Sequence, residues 1–240
     1  MRLFAGSFVV LFALILPQMC PGQTSSPGTA PAGTPVAPPP LLGPDYYFSS
    51  TAAAQQALLF LPSPPPPNSD AQALNAQILN TVIATATPQM AANAQETANF
   101  SVFDFSDVLG PGFNAQNLPV TNDFFKKVTI NTVNASDNLK AYYNSPGPQT
   151  PETYPSTQTM MGFDEGVLLG NMIPEKQTQL QAFGVQEGIN RLIMNAHWPT
   201  DVAGGQMLST IFLPDLYASP QFLSDFNQAK TEVRAQQGLQ

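Results

Sequence analysis

Asn190-Arg191-Leu192-Ile193-Met194-Asn195-Ala196-His197-Trp198-Pro199-Thr200-Asp201, continued by Val202-Ala203-Gly204-Gly205, is the stretch on which the reading turns. It holds the sole histidine of 240 residues and one of only eight basic side chains. An Arg, a His six positions on and an Asp four beyond that suit an anion of the phosphate type. Arg offers a planar fork of donors to phosphate oxygens. A neutral imidazole can attack phosphorus and carry the phosphoryl group. Asp201 can accept the other ring N–H of His197 and so fix its tautomer. The plainer alternative is a hydrogen-bonded histidine near a helix start, with Arg191 paired to Glu187 four residues earlier.

This segment resembles the third signature of the PAP2 phosphatase superfamily, Ser-Arg-x5-His-x3-Asp, with Asn190 in place of the Ser. The nearest flavour is that of the bacterial class A non-specific acid phosphatases, and His197-Trp198-Pro199-Thr200-Asp201-Val202 follows their pattern. Leu58-Leu59-Phe60-Leu61-Pro62-Ser63-Pro64-Pro65-Pro66-Pro67 resembles the proline-rich segment before their first core helix. The likeness runs over roughly residues 46 to 238. Two other signatures occur in order but altered. Lys140 to Pro148 matches Lys-x6-Arg-Pro, with Gly147 where the Arg belongs. Tyr154-Pro155-Ser156-Thr157-Gln158 matches Pro-Ser-Gly-His, with Thr157 for Gly and Gln158 for His.

The resemblance implies an all-α helical bundle and a phosphohistidine mechanism. His197 would be the nucleophile and Asp201 its orienting carboxylate, with Lys140, Ser156 and Arg191 binding phosphate. The ligand is a small phosphorylated substrate or a phosphate-like anion, and neither cofactor nor metal is expected. The substitutions weaken the chemistry. Gln158 donates a hydrogen bond but releases no proton, and general acid catalysis is typically worth about 10²–10⁴-fold. Gly147 removes a guanidinium, and losing one such donor typically costs about 10²–10³-fold. A secreted acid phosphatase of reduced or altered activity is the leading expectation. A non-catalytic pseudoenzyme with an envelope or binding role is the alternative. A vanadate-dependent haloperoxidase relative comes third, because vanadate also relies on the missing Arg and His. Pairing into homo-oligomers enters only by analogy with the family.

Residues 1–22 read as a secretion signal: Arg2, then an apolar run from Leu3 to Leu16, then polar and proline-containing text. Export to a periplasm or the exterior follows. The run is short for a membrane span, so no span is expected in the mature chain. Cys20, the single cysteine, sits at the leader's end and leaves no internal disulfide. Residues 23–45, rich in Pro, Gly and Ala, read as a linker. The remainder, 46–240, reads as one domain of ordinary size. Hydrophobic residues make up 43% and charged residues only 10%, with a net charge of −8. No basic footprint for nucleic acid exists, and an anionic substrate gains no long-range steering.

Helical patterns dominate from residue 46. Asp70 is expected to cap a helix with Leu74, Ile78, Leu79, Val82 and Ile83 along one side. Asp123 is expected to cap a segment leading to Lys140. Residues 144 to 155 carry four prolines and must be irregular. Ser156 opens the next helix, and a long one spans Glu175 to Asn195. Thr200 is expected to cap a helix from Asp201 to Phe212, in which Gly204-Gly205 lets another helix approach closely. Ser219-Pro220 is a cap-plus-first-turn signal for the last helix.

Overall fold

The computed structural model describes residues 40–240; the leader, Cys20 and most of the proline-rich linker lie outside the described residues. Among these residues the fold is all-α, with no strand. In order, the helices are α1 (Ser50–Ala57), α2 (Asp70–Thr85), α3 (Pro88–Glu96), α4 (Ser106–Leu109), α5 (Pro119–Tyr143), α6 (Thr157–Met172), α7 (Gln177–Ile193), α8 (Pro199–Ala218) and α9 (Pro220–Gln236). Short 3-10 turns precede α4 and α7, at Val102–Phe105 and Pro174–Lys176.

The antiparallel pair α6–α7 forms the centre of the bundle, and glycine sets its separation. Gly162, Gly166 and Gly170 recur every four residues, so they line one stripe of α6. A Cβ on Gly166 would lie 2.9 Å from the carbonyl oxygen of Leu180, and one on Gly184 would run into that of Gly162. The two backbones therefore touch directly. On α8, a Cβ on Gly205 would meet the Ser156 carbonyl and one on Gly204 the Tyr154 ring, 2.7 Å away. The expected close approach of a helix holds at Gly205, against the start of α6, while Gly204 meets the loop residue Tyr154.

Apolar residues fill the spaces around this pair. Phe124 of α5 packs with Tyr47, Phe222 and Phe226; Tyr47 meets Phe222 edge-on at 5.3 Å. Leu168, Leu169, Met172 and Leu180 join the same cluster. A second cluster joins Ala53, Ala54 and Ala57 of α1 to Leu139, Met160, Leu208 and Phe212. Asn131, wholly buried in α5, accepts from the backbone N–H groups of Tyr46, Tyr47 and Phe48 and donates to the Phe48 carbonyl. Every polar atom of that amide is used, which is what makes its burial tolerable. Attachment to α5 begins at Leu42, whose N–H donates to Asn134, inside the stretch read as linker.

Several helix starts differ from expectation. Ser69, not Asp70, caps α2: its hydroxyl accepts from the Gln72 N–H at 3.2 Å, and Asp70 begins the first turn where its charge suits the helix dipole. Only Asn75 and Leu79 of α2 are buried; Leu74, Ile78 and Ile83 are 49%, 40% and 36% exposed. The reason is that α2 rests on α7 and α8 by a narrow seam instead of a broad stripe. Asp123 caps nothing, since Pro119 opens α5 one turn earlier. The expected Glu175–Asn195 helix is a 3-10 turn followed by Gln177–Ile193. Thr200 is not a cap either: Pro199 takes the first helical position and α8 runs on to Ala218, past Pro214. The irregular stretch at 144 to 155, the Ser156 start and the Ser219-Pro220 start stand as expected.

Candidate functional site

The turn from α7 to α8 places the histidine. Asn195 takes a left-handed backbone (φ 56°), and the Ala196 N–H closes back on the Arg191 carbonyl at 2.9 Å. Trp198 then precedes α8, and its N–H donates to Asp201 Oδ2 at 2.9 Å. That contact satisfies an orphan amide at the helix start and puts the carboxylate where the dipole favours negative charge. It also brings Asp201 Oδ2 to 3.5 Å from His197 Nδ1. Nδ1 and Asp201 Oδ1 have no hydrogen-bond partner, so this approach orients the ring without forming a full hydrogen bond.

Both side chains are buried, His197 at 6% exposure and Asp201 at 0%. Burial pushes the imidazole below its ordinary pKa. Asp201 opposes that shift, while the charges of Lys140 and Arg191 add to it. The neutral imidazole is therefore the favoured form, and neutral is the nucleophilic form.

Ser156 ties α6 to the same place. Its N–H donates to the Asp201 carbonyl at 3.0 Å. Its hydroxyl accepts from the Thr159 N–H at 3.3 Å and from the Thr159 hydroxyl at 2.8 Å. Ser156 is thus the helix cap. Gln158 lies half-buried in the first turn behind it. Trp198 reaches across the site, its indole N–H donating to the Pro146 carbonyl at 2.9 Å. This pins the 144–156 loop beside the histidine.

Lys140 stands in the last turn of α5 and donates to the Glu152 carbonyl at 3.4 Å. Burial pulls its ammonium below the ordinary lysine range; Asp137, Asp201 and Glu152 pull it back up. Gly147 sits in the loop opposite, its N–H donating to the Thr150 carbonyl at 2.8 Å. A Cβ there would collide with the Thr153 side chain. The space for a larger residue at 147 is therefore occupied by threonine.

Arg191 is 2% exposed and largely committed. Its terminal nitrogens donate to the carbonyls of Thr97 and Ala98, at 2.7 and 3.2 Å, just past the end of α3. Glu187 lies 3.5 Å away, as the plainer sequence reading anticipated. Asn190 donates to both Glu187 and Thr97. Only Nε of the guanidinium has no partner. The fork that would grip phosphate instead fastens α7 to the end of α3.

The fold thus gathers His197, Asp201, Ser156 and the 144–156 loop, with Lys140 and Arg191 near enough to bias the imidazole. Two buried carboxyls escaped the sequence reading. Asp164 and Glu165, mid-α6, are 0% and 2% exposed, and each keeps one oxygen without a partner. Adjacent acids inside an otherwise apolar helical stretch were the available signal. Among the described residues, no three His, Cys, Asp or Glu side chains converge to hold a metal ion. Among them too, no helix is long and apolar enough to cross a membrane.

No family model matches the chain. It is 29% identical over 80 residues to a non-specific acid phosphatase of Providencia stuartii, covering 33% of this chain and 32% of that protein. It is 27% identical over 168 residues to a non-specific acid phosphatase of Salmonella typhimurium, covering 61% of this chain and 67% of that one. An acid phosphatase of Zymomonas mobilis is 27% identical over 81 residues, 34% of this chain and 31% of the relative. The similarity is weak, and it supports an acid phosphatase-like relationship.

Proposed function

We propose that the chain is a PAP2-type hydrolase of phosphate monoesters, acting through a phosphohistidine at His197 with reduced or altered activity. The observation that carries this reading is the buried His197–Asp201 pair at the start of α8, with its imidazole biased to the neutral form. The names of the similar proteins point to the same substrate class. Nε2 of His197, the nitrogen turned from Asp201, attacks phosphorus. Lys140 and the free Arg191 Nε–H attract the phosphoryl oxygens, and the amides at the Ser156 helix start add oriented dipoles. On this reading residues 1–22 direct export, and the proline-rich stretch from 23 up to Leu42, where packing on α5 begins, tethers the domain in a periplasm or outside the cell.

Two features favour a second reading, an anion-binding pseudoenzyme. Arg191 is spent on Thr97, Ala98 and Glu187. Thr153 fills the place from which a first-motif Arg at 147 would reach in. The test is hydrolysis of p-nitrophenyl phosphate between pH 4 and 8 by the mature protein and by His197→Ala. Activity present in the parent and absent in the variant supports the hydrolase. Equal, background-level rates in both overturn it and leave the pseudoenzyme.

A further inference from the structure

The hydrolase reading has one chemical gap, and this inference rests on that reading. Cleaving an ester of a poor leaving group needs a proton for the departing oxygen, and Gln158 has none to give. The part-buried ammonium of Lys140, whose charge acts on His197, is a nearby source of an acidic hydrogen. Lys140 reaches from α5 to the Glu152 carbonyl, on the loop that Trp198 and Ser156 hold against the His197–Asp201 turn, and forms no ion pair among the described residues. The charged and titratable groups coupled to it electrostatically are Asp137 on its own helix, Glu152 on the loop, and Asp201 and His197 at the start of α8. Arg191 differs, being fixed to α3 and unable to release a proton in this range.

We propose that Lys140 is the proton donor to the leaving oxygen, in addition to attracting the phosphate. In the first step His197 Nε2 forms a bond to phosphorus and the ester P–O bond breaks. The leaving oxygen takes a proton from Lys140 Nζ, giving the alcohol, phosphohistidine and a neutral amine. In the second step water attacks phosphorus and the N–P bond breaks. The water's proton passes to the Lys140 amine, restoring the ammonium and the imidazole and releasing phosphate. Burial, which lowers the lysine's affinity for its proton, makes both transfers easier.

The test compares leaving groups. p-Nitrophenolate departs without a proton; phenolate and simple alkoxides need one. Lys140→Arg keeps the positive charge but removes the exchangeable acid. Hydrolysis of both esters by this variant falls by whatever share Lys140 contributes to phosphate binding, while phenyl phosphate hydrolysis falls by about 10²–10⁴-fold more than p-nitrophenyl phosphate hydrolysis. Equal losses on both esters assign Lys140 to phosphate binding alone and overturn the proposal. So does no loss on either. The solvent deuterium isotope effect on kcat/KM of the parent needs no variant. It is expected to be present with phenyl phosphate and absent with p-nitrophenyl phosphate, and its absence with both overturns the proposal. Parent rates that His197→Ala does not lower overturn the hydrolase reading itself, which separates the two failures.

Discussion

Asp164→Asn probes the least economical feature of the fold. Asp164 is wholly buried mid-α6; Oδ1 receives the Ser209 hydroxyl and Oδ2 has no partner. Burial pushes its carboxyl from 3.8 up to about 7, with the Ser209 hydrogen bond pulling weakly the other way. The folded-state value is raised, so the protonated acid is the form the fold prefers. Its stabilising contribution is complete below about pH 4 and is lost as the pH climbs through about 7. A gap of roughly three pH units, at about 1.36 kcal/mol each, amounts to roughly 4 kcal/mol. Glu165, shifted up by burial and by like charge on Asp164, Asp104 and Glu187, acts in the same direction. Asparagine keeps an oxygen for Ser209 and carries no titratable proton. Any penalty from its amide is the same at every pH, so the pH dependence isolates the carboxyl. Thermal melts followed by circular dichroism at pH 4.5 and 7.5 make the measurement. Relative to the parent, the variant should gain stability between the two conditions by up to about 8–16 °C, taking about 2–4 °C per kcal/mol. An offset that is the same at both pH values would refute the reasoning.

Asp201→Asn should leave the fold intact yet lower phosphatase kcat by about 10²–10⁴-fold, since the ring loses the charge that orients and stabilises it; steady-state kinetics beside a melt check both parts. Gly147→Arg should fail to restore activity and should cost about 1–3 kcal/mol, because the loop must move off Thr153; adding Thr153→Gly should recover most of the melting temperature. Gly184→Ala forces α7 from the Gly162 carbonyl and should lower the melting temperature by about 2–12 °C, with activity falling as Arg191 and Ser156 move apart. Gln158→His should raise phenyl phosphate hydrolysis more than p-nitrophenyl phosphate hydrolysis, read as a change in their ratio.

Local chemistry was the legible part of this sequence. Ser156 and Ser219-Pro220 announce helix starts because a hydroxyl beside a helix-compatible residue satisfies an orphan amide wherever the helix packs. The misplaced caps failed by local competition. Ser69 precedes Asp70 and takes the cap, leaving the carboxylate to the first turn. Pro199 outcompetes Thr200 as a start signal, and the Asp201 carboxylate reaches back to the Trp198 amide. Arg191 was opaque for another reason: its acceptors, Thr97 and Ala98, lie over ninety residues earlier and only tertiary packing brings them in. The Leu74, Ile78 and Ile83 positions gave the right helix and the wrong burial, since periodicity does not set how wide a seam the neighbours offer. Gly162, Gly166 and Gly170, four residues apart, carried a close-packing signal that the sequence reading left unused.

On the proposed hydrolase reading, the site's charges bear on which form of a phosphate monoester it would favour. Around His197 stand one ammonium, Lys140, and one guanidinium already spent on backbone carbonyls and Glu187. Against them stand Asp201, Asp137 and Glu152, inside a chain of net charge −8. A fully ionised ester brings two negative charges into that field and finds little to neutralise the second. With a second ionisation near pH 6, the monoanion dominates in acid and asks for one charge less. Acid also supplies the proton that a neutral leaving group needs and protonates Asp164 and Glu165, which steadies α6 behind Ser156. A lower limit on useful pH comes from His197, whose depressed pKa keeps it neutral further into acid than an exposed imidazole. On the hydrolase reading, substrate charge, proton supply and core stability therefore favour work on the acid side of neutrality, and the depressed pKa of His197 permits it.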